Sequence, residues 1–298
     1  MSRARRGLHR DMTMDVSVVI PTYNQNLRYL TEAIESALHQ TYPREKYEIL
    51  VVDDGSTKIP PDSVVLQFKH RDVILVKKKH GGPADTLNAG IRRMKGKYFK
   101  WLSSDDTLCE DALEILMSKA NENSVVYGDW TRIDENGNFI DICHAPTFSN
   151  VREMKKYLWH GFFGNASAAL IPKSAFAKVG MFDGSLPYFE DYDWWLRAVF
   201  LHGYAFVHVD SIVARYRIHP GQLTIQHGQE PLIIWHLKKR VYSAGGASSS
   251  FDNVSSPSIF ALINQMFLCE TANLYRVLPG HNAPPAFLKK IKYILLAP

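Results

Sequence analysis

Tyr98-Phe99-Lys100-Trp101-Leu102-Ser103-Ser104-Asp105-Asp106 is an apolar run that closes on two adjacent carboxylates. A second run, Glu48-Ile49-Leu50-Val51-Val52, closes the same way on Asp53-Asp54. Asp is common in the turns after strands, so either pair alone reads as a solvated turn. Two such pairs in consecutive strand–helix units point to a site, because ligands of open α/β sheets bind at the carboxyl ends of the strands. Acids gathered there suit a hard divalent cation and the phosphates it bridges.

Outward from these runs the pattern is strand then helix. Val16–Ile20 is a β-branched strand ended by Pro21, Thr22 and Asn24. Leu27, Leu30, Ala33, Ile34, Ala37 and Leu38 recur at helical spacing and predict a helix over 27–40. The second strand ends at Asp53 before the loop Asp54-Gly55-Ser56-Thr57, and a third, Val73–Val76, leads through Gly81-Gly82-Pro83 into a helix carrying Ala84, Leu87, Ala89, Ile91 and Met94. Four such units predict a doubly wound α/β sheet with a crevice at its strand ends.

The rhythm changes after residue 124. Val125–Tyr127 reads as a strand, Asp134–Asn138 as a hairpin turn, 150–158 and Lys173–Val179 as helices around the segment Ala168–Ile171. Phe189–Phe200 is a helix with acids in its first turn, and Ala205–Val209 and Ile212–Tyr216 read as two strands. A helix near 229–242 precedes a small-residue linker at 243–257 and a basic, apolar end, Phe287–Leu296. That end is either a docked helix with a solvated Lys edge or a peripheral contact with an anionic membrane. The expected division is a basic N-terminus (1–14), a nucleotide half (15–123), an acceptor half (124–225) and a helical C-terminal extension (226–298).

Most of the net charge of +5 comes from the two ends, with no basic stripe interleaved with aromatics, so nucleic acid is not an expected partner. The three cysteines form no Cys-x-x-Cys, which fits a reducing compartment. No apolar leader opens the chain and no run of about 18 apolar residues occurs, so a cytoplasmic protein is expected. Gly-x-Gly-x-x-Gly after the first strand and Gly-x-x-x-x-Gly-Lys are both absent, which removes the main support for a nicotinamide dehydrogenase or a P-loop NTPase. The cluster Glu190-Asp191-Tyr192-Asp193 has two readings. Acids at a helix N-terminus are favoured by the dipole by roughly 0.3–1 kcal/mol each. A carboxylate beside Trp194-Trp195 also suits a general base for a hydroxyl nucleophile.

Five segments in order then carry a resemblance: Val16–Asn24 (Val-Ser-Val-Val-Ile-Pro-Thr-Tyr-Asn), Asp53–Thr57, Asn88–Ile91 with Lys95–Tyr98, Ser104-Asp105-Asp106, and Glu190–Arg197. Together they resemble the family 2 inverting glycosyltransferases of the GT-A fold, over about residues 15 to 220. The resemblance implies a Rossmann-like mixed sheet, mostly parallel, flanked by helices. It implies that Pro21, Thr22 and Tyr23 line a nucleobase pocket and that Asp54 bonds the base. Asp105 would meet the ribose or the metal, Asp106 would bind Mn²⁺ or Mg²⁺ on the diphosphate, and His219 would be a further ligand. Asp191 would be the catalytic base, with Glu190 shaping the acceptor side. A nucleoside-diphosphate sugar, a UDP-sugar favoured, would donate a single sugar to a glycan, lipid-linked or protein acceptor, in polysaccharide or glycoconjugate biosynthesis.

Two positions depart from that pattern. Ser103 stands where the family often has an acid, and Leu87 where many members have Arg; Lys77, Lys78, Lys79 or Arg92 would have to compensate. No Gln-x-x-Arg-Trp occurs, which argues against a processive synthase. A sugar nucleotidyltransferase and a non-catalytic nucleotide- or glycan-binding protein are the alternatives.

Overall fold

The computed structural model of this chain describes residues 14–161, 164–227 and 231–245. Strands β1 (Val16–Thr22), β2 (Tyr47–Asp53), β3 (Val73–Lys77) and β4 (Tyr98–Trp101) lie parallel in the order β3-β2-β1-β4. Helices α1 (Leu27–Leu38), α2 (Asp62–Gln67) and α3 (Pro83–Arg93) make the crossovers. Both sheet faces are covered, which is why β1 and β2 are near-continuous apolar runs. Asn26 starts α1 by accepting the Arg28 N–H, and Pro83 starts α3 after Gly82 at φ 89°.

The second half adds β5 (Thr107–Leu108), α4 (Ala112–Met117), β6 (Ser124–Ile133), β7 (Phe139–Cys143), α5 (Val151–His160), β8 (Ala169–Pro172), α6 (Lys173–Val179) and α7 (Glu190–Leu196). A π-helical turn, Arg197–Leu201, extends α7, followed by β9 (Ala205–Arg217), α8 (Leu223–His227) and α9 (Pro231–Gly245). One sheet results, in the order β3-β2-β1-β4-β8-β6-β9-β5, with β7 on β6. β8 is antiparallel to both β4 and β6, so β6 points the same way as β4 and carries its own C-terminal end to the crevice. Parallel pairing is confined to β1–β4 and to β6 with β9; the other contacts are antiparallel.

Two apolar layers sandwich the sheet. One packs α1, α2 and α4; the other packs α3, α5, α6, α7 and α9. Trp194 and Trp195 are both fully buried in the second layer, each contributing on the order of 1.5–3 kcal/mol. Neither is placed to stack on a sugar.

Ala205–Val209 and Ile212–Tyr216 are one strand rather than two. Its pairing with β6 slips between Gly128 and Trp130, so that Asp210 and Ser211 bulge without ending the ladder. Gly128 permits this, because a Cβ there would lie 2.8 Å from the Ser211 carbonyl oxygen. α9 continues through Gly245, so residues 243–245 of the predicted linker are helical; residues 246–298, with the basic apolar end, lie outside the described residues, as do residues 1–13.

Candidate active site

At the ends of β1 and β2 the backbone is knotted by short polar side chains. Asn24, at φ 47°, accepts the N–H groups of Thr57 (3.1 Å), Lys58 (2.8 Å) and Ile59 (3.1 Å) through one oxygen, and donates its own N–H to Ser56 Oγ. Thr22 is buried, Pro21 half-buried, and Tyr23 is exposed with its ring stacked on His80 at 4.3 Å. An exposed aromatic pair beside a strand-end carboxylate is a surface on which a flat base can stack.

Asp54 is that carboxylate. It accepts from Lys78 Nζ (2.5 Å) and from the N–H groups of Gly81 and Gly82 (2.9 Å each), and lies 2.8 Å from His80 Nδ1. Burial alone would raise its pKa, but these donors together hold the carboxyl below its ordinary value. Asp54 therefore organises the 78–82 loop that feeds α3. Leu87 is fully buried on α3. Lys77 pairs with Asp62, Lys78 with Asp54 and Asp85, and Arg92 approaches Asp85 at 3.7 Å. Of the four cations considered in place of Arg at 87, Lys79 alone lacks a carboxylate partner among the described residues.

The Asp105–Asp106 pair divides its labour. Asp106, at 1% exposure, accepts the Ser167 hydroxyl (2.6 Å) and the Arg217 N–H (3.0 Å), one on each oxygen. Burial, then the charge of Asp105, pushes its pKa well up. Fully buried Lys100 donates to the carbonyls of Ser167 and of Trp101 beneath it, and burial pulls its pKa down to about 7. Asp105 is the partner with outward reach: its Oδ2 lies 3.0 Å from His219 Nε2. Arg217 ties the pair to the fold through the Asp105 carbonyl (2.8 Å), Glu32 (2.5 Å) and the face of Tyr29, while Gln222 accepts the His219 N–H at 3.1 Å.

Among the described residues no group of three or more His, Cys, Asp or Glu could hold a metal ion. The donor set that does fit is Asp105 with His219, an oxygen and a nitrogen at hydrogen-bond distance. Mg²⁺-type ions are commonly held by one or two protein ligands together with substrate phosphates.

Glu190 and Asp191 open α7 after Phe189, whose left-handed φ of 65° costs about 1–3 kcal/mol in a residue with a Cβ. Asp191 accepts the Tyr192 N–H (2.7 Å), and neither carboxylate has a cationic partner among the described residues. Burial lifts Asp191 to about 6, and burial plus the charge of Asp191 lifts Glu190 to about 8. Asp193 is different: fully buried, it pairs with Arg197 (2.9 Å) and with Arg240 on α9. Arg197 also donates to the carbonyls of Val179 and Met181, and Asn88 on α3 exchanges two hydrogen bonds with the Phe182 backbone (2.8 and 3.0 Å). These contacts fix the loop that delivers α7 against α3.

Sequence reading thus placed the acids but missed Lys100, Ser167 and Arg217, which hold them. The lysine in an otherwise apolar strand was the available signal.

Residues 17–180 match glycosyl transferase family 2. An uncharacterized glycosyltransferase of Rickettsia prowazekii is 36% identical over 217 residues, covering 70% of this chain and 65% of its own. The chain spans between about one fifth and seven tenths of the length of the curated relatives it matches. In structure it resembles Staphylococcus aureus TarS 1-349 in complex with UDP-GlcNAc, with a TM-score of 0.66 at 17% identity over 86% of this chain and 73% of that one. It also resembles the mannosyltransferase PcManGT of Pyrobaculum calidifontis in complex with GDP-Man and Mn²⁺, with a TM-score of 0.59 at 18% identity over 96% and 83%. At these identities the structural likeness speaks for the GT-A fold.

Proposed function

The chain belongs to glycosyl transferase family 2, and from that premise we propose that it transfers one sugar from a nucleoside-diphosphate donor to an acceptor hydroxyl with inversion. The observation that carries the reading is the pair of adjacent carboxylates, Glu190 and Asp191, which open α7 with no cationic partner among the described residues and are both raised by burial. The pair therefore holds a proton to higher pH than free carboxyls do, and the family resemblance gives Asp191 as the base with Glu190 beside it. Asp191 takes the acceptor's hydroxyl proton as that oxygen attacks the anomeric carbon from the face opposite the diphosphate, whose bond to the sugar breaks. Tyr23 and His80 flank the base, while Pro21, Thr22 and the Asp54-ordered loop shape its pocket.

Asp105 and His219 would hold Mn²⁺ or Mg²⁺, with Asp106 anchoring the pair from inside rather than ligating. Bound there, the cation neutralises charge developing on the diphosphate. UDP-sugars are favoured as donors; TarS is seen with UDP-GlcNAc, while PcManGT is seen with GDP-Man. The acceptor belongs to a glycan, lipid-linked or protein glycoconjugate.

Calorimetric binding of UDP, GDP, dTDP and CDP, with and without Mn²⁺, tests this on wild type and Asp105→Ala. Manganese-dependent binding of one nucleotide, lost in the variant while the fold persists, is the expected result. No binding of any nucleotide in either condition would overturn the donor site.

A further inference from the structure

Away from these groups, one buried carboxylate holds two imidazoles. Asp129 on β6 is 2% exposed; its Oδ2 lies 2.7 Å from His144 Nδ1, and its Oδ1 lies 2.7 Å from His208 Nε2 and accepts the Ala145 N–H at 2.9 Å. The two histidines are not equivalent. His208 is enclosed, with Nδ1 at 2.7 Å from Thr147 Oγ1 and its ring against Tyr127. The His144 side chain is 73% exposed, and its Nε2 has no partner among the described residues.

The place of this cluster follows from the sheet. Lys100 and Val126 both stand opposite Leu170, so β4 and β6 run level there. Continuing both strands brings Asp129 level with Ser103, just before the Asp105–Asp106 pair. Ser167, which leads into β8 at that level, is the residue whose hydroxyl bonds Asp106. Asp129 alternates with Tyr127 and Val125 on β6, toward the layer that contains α7. Phe206, two residues before His208 on β9, packs on Trp195 of α7 at 5.2 Å. The imidazole pair is therefore at the crevice end of the sheet and on the face shared with the helix of Glu190 and Asp191.

A pin between strands needs only the enclosed histidine. An ionised carboxylate can only accept, so Asp129 takes the Nδ1–H of His144 and orients the ring; in the neutral ring Nε2 is then an acceptor facing solvent. The geometry points to His144 as a contact for the acceptor substrate: Nε2 receives the O–H of a non-reacting hydroxyl on a pyranoside or alditol unit, with Asp129 positioning the ring. The inference rests on the transferase reading and names the acceptor side of that site.

Histidine-selective ¹⁵N NMR of the full chain tests it, with His144→Ala identifying the resonance. Methyl β-glucopyranoside, methyl β-galactopyranoside and ribitol are titrated to about 100 mM, with and without UDP and Mn²⁺. At least one probe should move the His144 Nε2 resonance. His144→Ala and Asp129→Asn should weaken that probe about tenfold and leave UDP affinity within about twofold, with His144→Gln recovering part of the loss. If no probe moves the resonance, or if His144→Ala lowers Tm without altering probe affinity, the pair is a structural pin and the inference is overturned. Failure of UDP to bind wild type would sink the donor site instead, while the nucleotide-free titration still decides the role of His144.

Discussion

Glu190 and Asp191 show how much a neighbour changes a carboxylate. Among the described residues both lack a cation, burial raises both, and the charge of Asp191 raises Glu190 further. Their protons leave in two steps that belong to the pair. The rate of sugar transfer should rise with pH through about 6, as the pair gives up its first proton. Asp191→Asn should lower kcat by about 10²–10⁴ and remove the acid limb of that profile. Stability has its own sign. Both carboxyls bind protons more tightly folded than unfolded, so their contribution is full below about pH 4 and is lost as pH rises through about 6 and 8. Glu190→Gln should therefore raise stability at pH 9 by about 1–3 kcal/mol while slowing transfer, read by denaturant unfolding at pH 5 and pH 9. No gain at the higher pH would mean that the pair is not under this strain. Asp106 makes the opposite case. Asp106→Ala would orphan the Ser167 hydroxyl and the Arg217 N–H and leave Lys100 without a counter-charge, at about 3–5 kcal/mol. Its Tm should collapse where that of Asp105→Ala does not.

At the scale of elements, α3 decides how closely the nucleotide half packs. Gly90 lies against β1, and a Cβ there would collide with Val19 Cγ1 and touch Val52 on β2. Helix propensity favours Ala over Gly by about 1 kcal/mol, whereas overpacking a fixed β-branched neighbour costs about 1–3 kcal/mol. The second effect should win, so Gly90→Ala should be destabilising in urea unfolding, and an increase in stability would show that α3 can shift outward. The same helix carries Asn88, whose amide grips Phe182 and so couples α3 to the loop ahead of α7. Beyond α7, Arg240 reaches back from α9 to Asp183 and Asp193. The helix of Glu190 and Asp191, with the loop ahead of it, is thus held from two elements, α3 and α9.

For the whole molecule, the crevice is where two directions of sheet meet. β1–β4 bring Tyr23, Asp54 and the acid pair to one end; β6 and β9, turned by antiparallel β8, bring Asp129 and Arg217 to the same end. The polar groups of the crevice thus come from segments distant in sequence but joined by one ladder. A ligand that binds there binds only the folded state, so UDP with Mn²⁺ at about 100 times its Kd should add about 2.7 kcal/mol. For a chain of this size that is a rise of roughly 4–5 °C in Tm, absent with UDP plus chelator. Equal shifts with and without the metal would remove the cation from donor binding. No described helix is long and apolar enough to cross a membrane.

The alternation of apolar runs with helical spacing determined the parallel half, because a strand covered on both faces must be apolar throughout and its crossover must be amphipathic. Carboxylates at strand ends marked the crevice for the same local reason: the sequence places them where the chain must leave the sheet. Tertiary structure alone decided which carboxylate faces out. Asp105 and Asp106 are adjacent and chemically alike, and only Ser167, Arg217 and Lys100, brought from the turn before β8, from β9 and from within β4, turn one into an anchor and leave the other to the crevice. The same holds for Asp129 and its two histidines, which are scattered along the chain and meet only because β6 pairs with β7 on one side and a bulged β9 on the other. Local pattern is set by what each residue needs from water, while a site depends on which distant groups the sheet register brings within about 3 Å.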